Sequence, residues 1–200
     1  MQALEVLHNG QRLVVAGTEN AVLLSFSVSV SIDSEHPGTL DMRGMKDLGN
    51  DRQAHLEWIQ ELPLDSGDEI SVTLLEVEEV TPPAEDVASD SDEHIAEQAA
   101  YEAQLAAGLP VPRTLERKRP DASLEVVVGE VPVVATFEGG REFLTMHIDW
   151  NRWCPERCRL SLLSFSVREG LAREEGKKNW LAASAQMDEV VLIRVRAGQA

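Results

Sequence analysis

Along the first thirty-two residues, hydrophobic and polar positions alternate in a way only an extended chain can use. Leu24, Phe26, Val28, Val30 and Ile32 take every second position, and Ser25, Ser27, Ser29 and Ser31 lie between them. Successive strand side chains point to opposite faces, so Ala21–Ile32 reads as a strand with one buried face and one wet, serine-lined face. Ahead of it, Leu4–Val6 and Leu13–Ala16 are short apolar runs separated by Asn9-Gly10. That pair accepts positive φ at low cost and predicts a hairpin. Further on, Leu56, Ile59 and Leu62, with Trp58 beside them, recur at helical spacing after a candidate cap at Asn50 or Asp51. They predict one short helix over 51–62, ended by Pro63. Gly67-Asp68 then turns the chain into a strand over Ile70–Val80, rich in β-branched residues.

The pattern returns about 120 residues later. Leu4-Glu5-Val6 recurs as Leu124-Glu125-Val126, and Val14-Val15-Ala16 as Val133-Val134-Ala135. The alternating Leu24, Phe26, Val28 and Val30 recur as Leu144, Met146, Ile148 and Trp150, and Trp58 is answered by Trp180. Asp68-Glu69-Ile70-Ser71-Val72 recurs as Asp188-Glu189-Val190-Val191-Leu192. Common order and near-constant offset imply a duplication. The second copy is expected to carry strands near 124–128, 131–137, 142–150 and 159–168, a helix around 171–184, and a last strand over 188–196.

Between the copies, Pro82-Pro83 stops the strand, because neither ring nitrogen can donate to a ladder. Residues 85–107 are rich in Ala, Glu and Gln and hold seven acids and no base, which predicts a helix. Its apolar stripe of Ile95, Ala99 and Leu105, with Tyr101 nearby, is narrow and suits a surface position. Gly108 and Pro110 close it. A basic run follows at Arg113, Arg117, Lys118 and Arg119, suited to pairing with the acidic helix or the first copy. The expected fold is therefore α+β and strand-rich. Two diverged β-sheet repeats, over 1–83 and 121–200, each carry one short helix and are joined by an acidic helical connector with a basic end over 84–120.

Composition matters mainly through charge. Thirty-five acidic against eighteen basic residues give a net charge of −17. Residues 1–80 carry fifteen acids and four bases, 81–120 eight and four, and 121–200 twelve and ten. Such a molecule repels phosphates and anionic membrane surfaces, which argues against nucleic acid and membranes as partners. A basic protein is the partner the charge favours, since long-range attraction raises its association rate. Plain solubility is the alternative reading. The longest apolar stretch, starting at Ala21, is far shorter than the ~20 residues of a membrane span. The N-terminal residues lack the basic start, apolar core and small-residue site of a secretory signal, so a cytoplasmic location is expected.

Chemistry is sparse. Cys154 and Cys158, in Cys-Pro-Glu-Arg-Cys, are the only cysteines, and they read as reduced thiols on a turn. Zinc would need further ligands from elsewhere. His8, His36, His55, His94 and His147 are scattered without metal-ligand spacing. There is no phosphate loop, nucleophile elbow, His-Glu-x-x-His helix or dinucleotide fingerprint, so no cofactor, metal or catalytic residue is expected. Trp58 and Trp180 are expected to cap the core of each copy. Trp150 and Trp153 flank Asn151-Arg152 where a strand ends, so at least one should be partly exposed. Trp with Arg is typical of binding hot spots. The candidate partner-binding residues are thus Glu85, Asp86, Asp92 and Glu93 of the connector, with Trp150 and Trp153.

His55-Leu56-Glu57-Trp58, followed by Leu64-Asp65-Ser66-Gly67-Asp68-Glu69-Ile70-Ser71-Val72 and then Val77, Val80, Pro82 and Pro83, resembles small uncharacterised bacterial proteins. Those proteins end in a Gly-Asp-Glu-Val type of strand and a Pro tail. The resemblance covers 1–83 and implies no activity; Gln186 stands for Gly67 in the second copy, so that turn is expected to differ. In type, without an alignable motif, the chain is also similar to bacterial immunity proteins. The leading expectation is a non-enzymatic immunity or antitoxin protein that covers a basic surface on a toxin. The alternatives are an assembly protein that forms homo-oligomers through open sheet edges, and an enzyme of unfamiliar type.

Overall fold

A computed structural model describes residues 1–107, 118, 121–166 and 177–196. Two antiparallel sheets face one another. In chain order the first half supplies β1 (Gln2–His8), β2 (Gln11–Gly17), β3 (Ala21–Ser31), β4 (Gly38–Gly49), β5 (Arg52–Leu64) and β6 (Glu69–Glu76). Then come β7 (Glu85–Ala88) and α1 (Asp92–Ala107). The second half supplies β8 (Ser123–Val128), β9 (Val131–Thr136), β10 (Phe143–Asn151), β11 (Arg157–Phe165), β12 (Lys177–Gln186) and β13 (Val190–Arg196). The smaller sheet runs β2-β1-β6-β13-β8-β9, and the larger runs β12-β11-β10-β3-β4-β5-β7.

Apart from β7, both orders read the same from either edge once each strand of one half is exchanged for its counterpart in the other. A pseudo-twofold axis therefore passes between β3 and β10, and between β6 and β13. At the first crossing Ser27 faces His147; Leu24 faces Trp150 and Leu144 faces Val30, so counterparts there lie 120 residues apart. At the second, Ser71 faces Leu192 and Ile70 faces Ile193, which makes the shift 121. The buried set Ile70, Val72 and Leu74 thus corresponds to Val191, Ile193 and Val195, one residue later than sequence matching places it. Each sheet takes strands from both halves, so the halves share one core. Leu4, Val6, Phe26, Val28, Leu124, Val126, Met146 and Ile148 are all fully buried in it. Each such large side chain contributes about 1.5–3 kcal/mol relative to exposure.

The α+β expectation is overturned: the two short helices are strands. Residues 52–64 form β5, where Ala54, Leu56 and Trp58 are buried at strand period. The three-residue spacing of Ile59 and Leu62 comes from a bulge. Leu40 pairs with Leu62 but Met42 pairs with Ile59, and the extra residue is absorbed at Glu61, which adopts φ 47°. A bulge resets which face each side chain takes, and so imitates helical period. Over 171–184, residues 177–184 lie in β12; 171–176 lie outside the described residues. The connector opens as strand β7, not helix, and α1 spans only Asp92–Ala107. Of its basic end, Arg113, Arg117 and Arg119 lie outside the described residues. A helix joining one repeat to the other is thus not what the structure shows.

The turn at Gly67 and its counterpart is alike in both halves, a second correction. At the shift of 121 the counterpart of Gly67 is Asp188, not Gln186, and both are left-handed, with φ 96° and 65°. The Gly67 N–H donates to Val195 O, and the Asp188 N–H donates to Leu74 O, both at 2.9 Å. Each turn is thus tied to the central strand of the other half.

Candidate functional site

The end of the larger sheet where β4 meets β5 carries the most built surface feature. Its hairpin tip needs three consecutive left-handed residues, Gly49, Asn50 and Asp51 (φ 78°, 56° and 60°), residue types that tolerate that conformation best. Beside it lies the β10–β11 turn, where the Trp153 N–H donates to Asn151 Oδ1 (3.1 Å) and the Cys154 N–H to Asn151 O (3.1 Å). The Arg152 N–H donates to Val22 O at 3.1 Å, which locks this turn onto β3. Arg152 Nη1 then reaches Asp47 Oδ2 at 3.0 Å and joins the two turns. The Asp47 carboxyl is held below its ordinary pKa, first by the Gly49 N–H donated at 2.8 Å and then by Arg152.

These turns line an open cleft of about 780 Å³ with Met1, Glu19, Lys46, Asp47, Leu48 and Arg152 among its walls. The N-terminal amine donates to Val77 O at 2.7 Å. Lys46 is ion-paired with Asp86 of β7, and Arg52 is paired with Asp90 through two hydrogen bonds of 2.7 and 3.0 Å. The cleft wall therefore carries both signs of charge, Lys46 and Arg152 beside Glu19 and Asp47.

The structure brings some of the expected residues together here and removes others. Asp86 reaches the cleft through Lys46, and Trp153 reaches it through Arg152, whose guanidinium carbon lies 5.5 Å from the indole centroid. Trp153 is 71% exposed. Trp150 is only 3% exposed and donates its indole N–H to Pro155 O at 3.1 Å, so it belongs to the core and offers no surface anchor. Its position on the inward face of β10, opposite Leu24, is the reason. Glu85 is exposed on β7 and faces Glu57 across the sheet edge. Asp92 is exposed at the start of α1; the Glu93 side chain lies outside the described ones. Sequence reasoning missed Lys46, Asp47 and Leu48, because β4 was not read as a strand, and it singled out Arg152 beside the tryptophans without its link to Asp47, which forms only in three dimensions. The alternation of Gly38, Leu40, Met42 and Gly44 was the available signal.

Two further clusters gather polar or thiol groups. On the serine-lined face, Ser25 Oγ donates to Asp149 (2.6 Å), Ser29 bonds Thr145 (3.2 Å), and Thr145 bonds His147 Nε2 (3.2 Å). Ser27, Asp41, Arg43 and Glu61 share a depression of about 310 Å³ with Ser25 and His147. A hydrolytic relay needs the acid to orient the histidine toward the nucleophile; here Asp149 holds Ser25 and His147 holds Thr145. Cys154 and Cys158 line a smaller hollow of about 230 Å³ with Arg157 and Arg159. Both are free thiols, and burial, then the Asp149 charge, pushes the Cys158 pKa up to about 12. A thiol so shifted is neither a ready nucleophile nor a ready metal ligand. Among the described residues no group of His, Cys, Asp and Glu is placed to hold a metal ion, and no helix is long and apolar enough to cross a membrane.

Comparison of the chain with protein-family models, with curated proteins and with solved structures gives no match.

Proposed function

We propose that the chain is a non-enzymatic binding protein that docks a partner with a cationic surface at the cleft end of the larger sheet. The observation that carries this is Trp153, 71% exposed and stacked by Arg152, beside a cleft whose wall holds Glu19 and Asp47 together with Lys46 and Arg152, with the connector's Asp86 paired to Lys46. An exposed indole is a large, rigid apolar anchor, and burying one at an interface centre contributes 2 kcal/mol or more in typical hot spots, on the order of thirtyfold in affinity. The net charge of −17 supplies the complementary half: it speeds encounter with a basic protein and is screened beyond about 8 Å at physiological salt. The most concrete form of this reading is an immunity or antitoxin protein covering the basic surface of a toxin, which the similarity of type supports.

The test is capture from a bacterial lysate with wild-type and Trp153→Ala baits at low and high salt. A basic protein held by the wild type, lost by Trp153→Ala and released by salt supports the reading. In its immunity form, that protein should poison cells when expressed alone and be harmless when co-expressed with this chain. Basic proteins held equally by both baits and indifferent to salt would overturn it.

A further inference from the structure

The two halves differ in what covers their outer edges. In the first half, residues 77–88 run across the side of the sandwich and satisfy both sheets. Thr81 flanks β2: its N–H donates to Val15 O (2.9 Å), and its Oγ1 accepts the Val15 N–H (3.1 Å). The Trp58 indole N–H donates to Thr81 O at 2.8 Å. β7 then pairs with the outer edge of β5, Asp86 opposite Leu56 and Val87 opposite His55. With that cover Trp58 is 8% exposed.

The counterparts in the second half carry no such cover among the described residues. β9 and β12 are the outermost strands of the two sheets on that side. Val134 is the counterpart of Val15 and is 45% exposed; Val131, at the tip of the β8–β9 hairpin, is 70% exposed. Trp180, the counterpart of Trp58, is only half-buried, and its indole N–H turns inward to Ser164 Oγ at 2.9 Å instead of to a covering carbonyl. The β12 positions matching those that β7 pairs with are Lys177 and Lys178, where the first half has His55 and Leu56. Lys178 lies 3.4 Å over the Trp180 ring and bonds Glu138 at 2.6 Å.

We propose that the side formed by β9, β12 and Trp180 binds an acidic, extended segment of another protein, laid across both edges as residues 77–88 are laid across the first half. The pseudo-twofold supplies the track: one backbone pair at Val134, cover for Trp180, and a short strand along Lys177–Asn179. Charge supplies the selectivity. The segment that fills the equivalent track carries Glu78, Glu79, Glu85 and Asp86, and the open track replaces a histidine and a leucine with two lysines. Strand addition of this kind takes affinity from main-chain bonds and specificity from side-chain pairing. This surface is separate from the cleft, and the two can fail independently.

The test adds a labelled synthetic peptide, Val77–Ala88 of this chain, to the full-length protein. Fluorescence anisotropy should saturate, with amide shifts at Val134 and at Lys177–Asn179 and a change in Trp180 emission. Lys177→Glu, an edge-strand change outside the core, should weaken binding about tenfold. Val134→Pro, which deletes the donated N–H, should weaken it further. The proposal falls if binding does not saturate by about 1 mM peptide, or if a scrambled peptide of the same composition binds equally well. It falls also if Lys177→Glu changes nothing, or if light scattering shows a dimer in which a second copy already protects those amides.

Discussion

Gly44 and Ser164 occupy counterpart positions on β4 and β11, each beneath the tryptophan of the neighbouring strand. A β-carbon built on Gly44 would lie 2.9 Å from Leu23 O, 2.9 Å from the Trp58 ring and 3.2 Å from Leu24 Cδ2. The first is backbone and the other two are core side chains, so nothing flexible can give way. Glycine in a strand is itself destabilising by about 0.5–1 kcal/mol relative to alanine, and Gly44 has no left-handed φ to protect. Gly44→Ser would therefore be favourable in open space. Overpacking a filled site costs about 1–3 kcal/mol, so the clash should win by about 1–2 kcal/mol. Ser164→Gly should also destabilise, for a different reason: it strips the acceptor from the Trp180 indole at 2.9 Å, about 1–2 kcal/mol. The two halves thus resist exchange of the same pair of residues. Urea unfolding followed by tryptophan emission measures both, with the slope expected to stay constant while the midpoint falls. If Gly44→Ser matches or exceeds the wild type, Trp58 is not wedged against β4, and the account of the asymmetry between the halves is wrong.

The two turn tryptophans should separate cleanly: Trp150→Ala costs about 3–5 kcal/mol of stability, whereas Trp153→Ala stays within about 0.5 kcal/mol, both read by thermal or urea unfolding. Glu125 is held below its ordinary pKa, chiefly by the hydrogen bond from Arg194 (2.7 Å) and also by Arg196 (2.6 Å), against the opposing effect of burial. A depressed carboxylate stabilises the fold above its unfolded pKa of about 4.3, and that stability is lost as pH falls through the lower folded value. Glu125→Gln should therefore weaken the protein at neutral pH and flatten its acid limb; an unchanged stability–pH profile would show that the Arg194 network contributes nothing. Thiol titration at pH 8 should modify Cys154 quickly and Cys158 only after denaturant is added, since burial pushes the latter to about 12; equal rates by mass spectrometry would contradict the buried placement.

Local pattern alone determined the strands whose two faces differ in polarity throughout. The run from Leu24 to Ile32, the Asn9-Gly10 hairpin and the closing strand near 188–196 were all legible, because strand period is written into the residues themselves. So was the similarity between halves, down to Leu24 with Leu144. Period fails where a neighbouring strand inserts a residue. The bulge at Glu61 turned Leu56, Ile59 and Leu62 into a false helix, and only the pairing of β4 with β5 reveals it. Trp150 looked like a surface anchor because it closes its strand beside a turn, although its place in the alternation Leu144, Met146, Ile148, Trp150 already put it on the buried face. The Asp47–Arg152 link across 105 residues, the cover that residues 77–88 give the first half, and the lack of such cover on the second among the described residues depend on how the halves close around the pseudo-twofold. That closure is set by burial of both inner faces at once, a property of the assembled sandwich and of no single segment.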